Sequence, residues 1–215
     1  MKKIPLVLFL SVASFVVPHE LKAQGYAAAV KVGTQGVSLQ AYRALSSYFN
    51  VSLGASILSY NANNVEHTSD YKVDGDLKLS NISALADWFP FASSFRLTGG
   101  LVVNLNKVSA VITPTVTKVT GNIQYTPDKL GNVTADITFK KPAPYLGLGF
   151  GNPTSGSPGL GFTFDLGAFY HGKPQATMTG TKLLTPMESQ GPQLQSNLSW
   201  FQFYPVLSFG ISYKF

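Results

Sequence analysis

The strongest constraint on this chain is a two-residue rhythm that recurs in long runs. From Phe95 the alternate residues Phe95, Leu97, Gly99, Leu101, Val103 and Leu105 are mostly apolar, and Arg96, Thr98, Gly100, Val102 and Asn104 lie between them. A second run has Phe49, Val51, Leu53, Ala55 and Ile57 on one set and Asn50, Ser52, Gly54, Ser56 and Leu58 on the other, polar or tiny until the last. A third runs through Leu160, Phe162, Phe164, Leu166, Ala168 and Tyr170, against Gly161, Thr163, Asp165, Gly167, Phe169 and His171. Period two puts the two sets on opposite faces of a β-strand. Runs of ten or more exceed the usual strand of about 5–6 residues. They match the ~9–11 residues a tilted strand needs to cross a bilayer.

Composition says which face meets what. Charged residues make up 12% of the chain and hydrophobic residues 45%, where an ordinary soluble domain carries about 25% charged residues. Mean hydropathy is nevertheless only +0.12, too low for a bundle of membrane helices. A disordered chain would need high charge and few aromatics, and here 13% of residues are aromatic. In lipid every backbone N–H and C=O must be paired within the protein, so strands cross only as a closed barrel. Its outward side chains are then apolar and its inward ones polar or small. A sandwich would reverse that partition, and these polar faces carry too little charge to make a well-solvated exterior.

The N-terminus indicates export. Lys2 and Lys3 precede the apolar stretch Ile4–Val17, which is followed by Pro18, His19, Glu20 and the sequence Leu21-Lys22-Ala23. This is the order of a secretory signal peptide, with residues 1–23 removed and 24–215 forming one β-barrel domain. The apolar stretch is shorter than the ~20 residues of a spanning helix. Thirteen basic and nine acidic residues then remain, without any basic block, so no nucleic-acid footprint is present. The chain has no cysteine, which excludes disulfides and thiolate metal sites.

The C-terminus is the most specific segment. Leu207, Phe209, Ile211, Tyr213 and Phe215 alternate with Ser208, Gly210, Ser212 and Lys214, and the chain stops on the aromatic. This resembles the C-terminal signal of Gram-negative outer-membrane β-barrel proteins. The resemblance implies that Phe209, Ile211, Tyr213 and Phe215 are read by the barrel-insertion machinery, and that the protein lies in outer-membrane lipid. Aromatics cluster as interfacial girdles would: Tyr42, Tyr48 and Phe49; Trp88, Phe89 and Phe91; Trp200, Phe201, Phe203 and Tyr204.

The expected strands are 28–42, 49–60, 76–88, 95–106, 133–150, 160–171, 174–184 and 199–215, an all-β transmembrane antiparallel barrel of about eight strands. Short connections at 43–48 and 89–94 read as periplasmic turns, and 61–75 and 107–132 as long surface loops. One inconsistency follows: an even barrel with a periplasmic N-terminus begins with a surface loop, not a turn. Either an extra N-terminal crossing or an irregular connection is hidden, or the turns are inverted.

At eight strands the interior is just wide enough for side chains. Inward glycines (Gly54, Gly100, Gly147, Gly149, Gly161, Gly167 and Gly210) leave room for a narrow water path or for bulky neighbours such as Phe169 and Tyr145. Arg96, on an inward position, is placed to pair with Asp165 or Asp87 across the lumen, since a buried charge needs such partners. The expected function is a non-enzymatic barrel with a structural, surface-interaction or narrow-pore role, without cofactor or metal. Two alternatives stand beside it. One is a barrel enzyme acting on outer-membrane lipid, similar to lipid A deacylases, drawing on Glu66, His67 and Ser69. The other is a soluble periplasmic β-protein. Gly147-Leu148-Gly149-Phe150-Gly151 lacks the spacing of a nucleotide-binding loop.

Overall fold

The computed structural model describes residues 25–67, 70–120, 123–139 and 142–215. The expected signal peptide, 1–23, lies outside the described residues.

Eight strands close into a ring. They are β1 (Tyr26–Gly33), β2 (Gly36–Ala44), β3 (Phe49–His67), β4 (Tyr71–Trp88), β5 (Phe95–Asn104), β10 (Ala143–Phe150), β11 (Gly159–Tyr170) and β13 (Phe203–Lys214). Each pairs antiparallel with its neighbour in that order, and β13 closes onto β1 with Ile211 opposite Val30. Closure removes every edge from the ring.

The remaining strands continue ring strands upward. β6 (Lys107–Pro114) follows β5 after two residues. It keeps β5's register on β4: Asn81 faces Asn104 and Lys78 faces Lys107. At the break, Asn106 Oδ1 accepts the Ser80 N–H at 2.9 Å. Likewise β9 (Val133–Thr138) lies on β6 in the register that β10 keeps on β5. β12 (Gln175–Gly180) pairs with β9 beyond β11, shifted by one residue. Five strands, β3, β4, β6, β9 and β12, thus stand above the ring as one wall. Between β6 and β9 lie a small hairpin, β7 (Lys118–Thr120) with β8 (Ile123–Tyr125), and the single turn α1 (Pro127–Leu130). A 3-10 run, Lys182–Gln190, and α2 (Gly191–Asn197) pack against β12.

The sidedness of the sheet inverts where the wall begins. Within the ring the outward residues are apolar and exposed, among them Leu53, Leu101, Leu146, Leu160, Phe162 and Phe209, with Phe162 80% exposed. The inward ones include Asn50, Ser52, Asn81, Asp87, Thr98, Thr163 and Ser212, all buried. A water-soluble monomer rarely shows an apolar patch beyond a few hundred Å², whereas here the apolar surface follows every ring strand. Above Leu79 the same parity carries the opposite chemistry. The outer positions of the wall include Lys78, Asp76, Asp74, Lys107, Ser109, Thr134, Asp136 and Thr138, with Val111 the apolar exception opposite Asp74. The inner ones are Leu77, Val73, Val108, Ala110, Ile112, Ala135 and Ile137. An exterior that changes from lipid to water accounts for this.

Two pairs of corrections leave the expected number of eight intact. The expected strand 28–42 is two strands, joined by a turn at Thr34-Gln35 with Gly36 at φ +86°. That is the hidden N-terminal crossing, and it removes the topological inconsistency. The expected crossing 174–184 is instead the wall strand β12 followed by a 3-10 run, because Pro174 and the one-residue shift carry it off the ring. The expected loop 61–75 is largely strand (β3 to His67, β4 from Tyr71), and 107–114 is β6.

Candidate functional site: the lumen network

The lumen is built by inward residues of all eight ring strands. Arg96 sits one residue into β5 and is 1% exposed. It lies over Gly149 of the neighbouring β10, where a Cβ would come 2.6 Å from Arg96 Nε. Its Nη2 donates to Asp165 of β11, its Nη1 donates to the Gly151 carbonyl, and its Nε stands 3.5 Å from Asp87 Oδ1 of β4. The structure therefore brings together all three residues singled out for the lumen.

Lys31 of β1 was not singled out, yet its Nζ donates to Asp165 Oδ2 at 2.6 Å. Its signal was present in the alternation Ala27, Ala29, Lys31 against Ala28, Val30, Val32, which places one cation on the small-residue face. Gly210 makes room for it, since a Cβ there would lie 2.5 Å from Lys31 Cγ. Two cations and two carboxylates thus balance inside the barrel. Ser208 Oγ donates to Asp165 Oδ2 at 3.1 Å, and Thr98 Oγ1 to Asp87 Oδ1 at 2.6 Å. Hydrogen-bonded pairing is what permits charges in so dry a place.

The lumen narrows at both ends of this network. At the end holding the chain termini, the 151–158 turn folds inward. Thr154, buried, donates to Asn50 Oδ1 at 2.9 Å, and Asn50 Nδ2 donates to Asn152 Oδ1 at 3.1 Å. Toward the wall, Tyr145 covers Gly147 and Gly167: a Cβ at either would lie 2.5 Å from its hydroxyl. Beyond it Phe169 stacks on Tyr204 at 4.9 Å. His171, just past β11 and buried, packs against Phe139 and Phe201 at 4.7 and 5.2 Å. Of the two uses open to the inward glycines, Gly147, Gly149 and Gly167 therefore house bulky neighbours. Beside them a pocket of about 50 Å³, lined by Lys31, Gln35, Gln40, Tyr42, Asn81, Asp87, Asp165 and others, reaches from the network toward the β1–β2 turn. That is room for roughly four waters. Asn81 Oδ1 and Asp87 Oδ2 are buried there without a protein partner.

The other sequence candidates lie away from this network. Glu66 and His67 lie in β3 opposite Val73 and Lys72, and Ser69 lies outside the described residues. Among the described residues no three His, Asp or Glu side chains converge on a common point. Phe209, Ile211 and Tyr213 face outward from β13, and Phe215 follows it, 50% exposed.

The fold and lining define a transmembrane antiparallel β-barrel of eight strands. No family model matches the chain, and no curated protein sequence does. Among solved structures it is similar to Acinetobacter baumannii CarO at 18% identity, covering 92% of this chain and 100% of that one, with a TM-score of 0.58. The CarO2 protein of the same organism matches at 17% identity over 89% of this chain and 98% of that one, with a TM-score of 0.58. A major outer membrane protein of Thermus thermophilus aligns at 14% identity over 89% of this chain and 98% of that one, with a TM-score of 0.49.

Proposed function

We propose that this chain is an integral outer-membrane barrel without an open channel, whose wall of extended strands is the surface offered to a partner. The observation that carries the membrane reading is the inversion of sidedness between the ring and the wall. An apolar exterior that turns polar at one level of β4 fits a lipid boundary there. The charge-neutral network from Lys31 to Asp87, with stacked rings on one side and a tucked turn on the other, supports a closed lumen. Of the structural, surface-interaction and narrow-pore roles, the first two fit such a lumen better.

Export by the leader 1–23 and insertion guided by Phe209, Ile211, Tyr213 and Phe215 belong to the same reading. It involves no catalysis and no cofactor. Electrophoresis of membrane fractions, unboiled and boiled, tests the barrel: a mobility shift on boiling is expected. A protein that does not shift and fractionates with soluble periplasm would refute it. Planar-bilayer recording tests the lumen. Stable conductance steps would favour the narrow pore instead.

A further inference from the structure

The two rims of the barrel are dressed differently. At the rim bearing the termini, the outward residues are aromatic: Phe49 faces Trp88, Tyr213 stands near the end of β13, and Phe215 follows that strand. Ten residues along β13 from Tyr213 is Phe203, which packs on Tyr170 of β11 at 5.0 Å. Ten residues along β4 from Trp88 is Lys78. Ten residues rise ~34 Å along a strand, or about 26 Å along the axis of a barrel tilted by ~40°, close to the ~25 Å apolar band of such proteins. Lys78 therefore lies at the same far headgroup level as Phe203 and Tyr170.

Lys78 has a second lysine directly across the strand pair, Lys107 of β6, on the same outward face. Both are exposed. Like charges directly opposite repel, and only one of them is neutralised: Lys107 Nζ lies 3.1 Å from Asp136 Oδ1. Among the described residues Lys78 has no ion pair, although Asp76 shares its face one row further from the ring. Aromatic anchors on β11 and β13 thus give way on β4 and β6 to two adjacent cations. Lysines at this depth keep their stems against the apolar band and their ammonium groups at the headgroups.

We propose that Lys78 and Lys107 form a binding site for the phosphate of a membrane lipid in the leaflet next to the wall. This rests on the membrane reading above. A phosphate seated between the two ammonium groups relieves their repulsion and fixes the barrel's depth on that side.

The test uses the full mature chain folded in a neutral detergent, titrated with dioctanoyl phosphatidic acid, with dioctanoyl glycerol and inorganic phosphate in parallel. Lys78→Gln/Lys107→Gln is expected to bind phosphatidic acid roughly 30-fold more weakly. A charge-matched Lys72→Gln/Lys173→Gln variant should stay within about two-fold of the parent, taking ~2-fold as the ordinary context scatter of exposed sites. Dioctanoyl glycerol should bind both double variants alike. Equal loss in the two double variants, or no loss in the first, overturns the site. Inorganic phosphate binding as tightly as the lipid overturns its assignment to lipid. Retention of the boiling-dependent mobility shift in each variant separates failure of the site from failure of the barrel.

Discussion

Replacing Arg96 with Ala removes the centre of the lumen network. Asp165 keeps Lys31 Nζ at 2.6 Å and Ser208 at 3.1 Å, and Asp87 keeps Thr98 at 2.6 Å. Two carboxylates then face one lysine, so the interior changes from neutral to one net negative charge. Breaking a buried pair costs about 3–5 kcal/mol. The surviving partners and the room for water beside them place this case at the lower end, ~3 kcal/mol, or roughly 100-fold in the folding equilibrium. Reversible urea unfolding in phosphatidylcholine vesicles, followed by the fluorescence of Trp88 and Trp200, reads the loss. Adding Asp87→Asn to Arg96→Ala restores neutrality and should recover part of it. Bilayer recordings of Arg96→Ala should remain without conductance, because Tyr145 and the Phe169–Tyr204 stack still fill the lumen. A loss below about 0.5 kcal/mol, the scale of an ordinary surface change, would refute the claim that this network holds the lumen.

Three further outcomes follow from the same geometry. Gly149→Ala drives a Cβ to 2.6 Å from Arg96 Nε, so it should destabilise by about 1–3 kcal/mol and cost far less in an Arg96→Ala background, as paired unfolding curves will show. Phe215→Ala should lower the amount of assembled barrel in cells while leaving refolding into vesicles unchanged; equal effects in both settings would contradict a role in insertion. On the wall, the hydrogen bond from Ser109 first, and then Lys107, hold the Asp136 carboxyl below its ordinary value of 3.8. A depressed folded-state pKa means stability that is present above the unfolded value and lost as pH falls through the folded one. Carbon-detected NMR titration should therefore find Asp136 mostly ionised at pH 3.8, and Ser109→Ala should raise its midpoint.

Most of the ring was legible because lipid on one side and a tight lumen on the other leave alternation unblurred, as in Phe95–Asn104 and Gly159–Tyr170. The lumen trio was legible for the same reason: Arg96, Asp87 and Asp165 stand on the polar parity of strongly alternating runs. The N-terminal hairpin was missed although its parity changes. Val30 and Val32 face outward on even numbers, Val37 and Leu39 on odd ones, and a strand cannot do both without a turn. The upper parts of β3 and β4 and the whole of β6 read as loop from sequence because their outer face is polar, whereas β9 and β12 read as strands but as parts of crossings. Yet Tyr71, Val73, Leu77 and Leu79 alternate, as do Val108, Ala110 and Ile112. Their sense is reversed because above the lipid it is the inner face that packs. The lysine pair required pairing information, since Lys78 and Lys107 meet only through the β4–β6 register.

On the membrane reading proposed above, β4 passes from water into lipid just below Lys78. The chain has no cysteine, so single cysteines at positions 72 to 88 of the vesicle-inserted protein can each carry a spin label. Even positions from 80 to 86 should relax with oxygen dissolved in the lipid and be insensitive to a water-soluble nickel complex. Even positions from 72 to 78 should show the reverse. Nickel sensitivity at even positions through the 80–86 stretch would contradict a lipid-facing exterior and the barrel built on it.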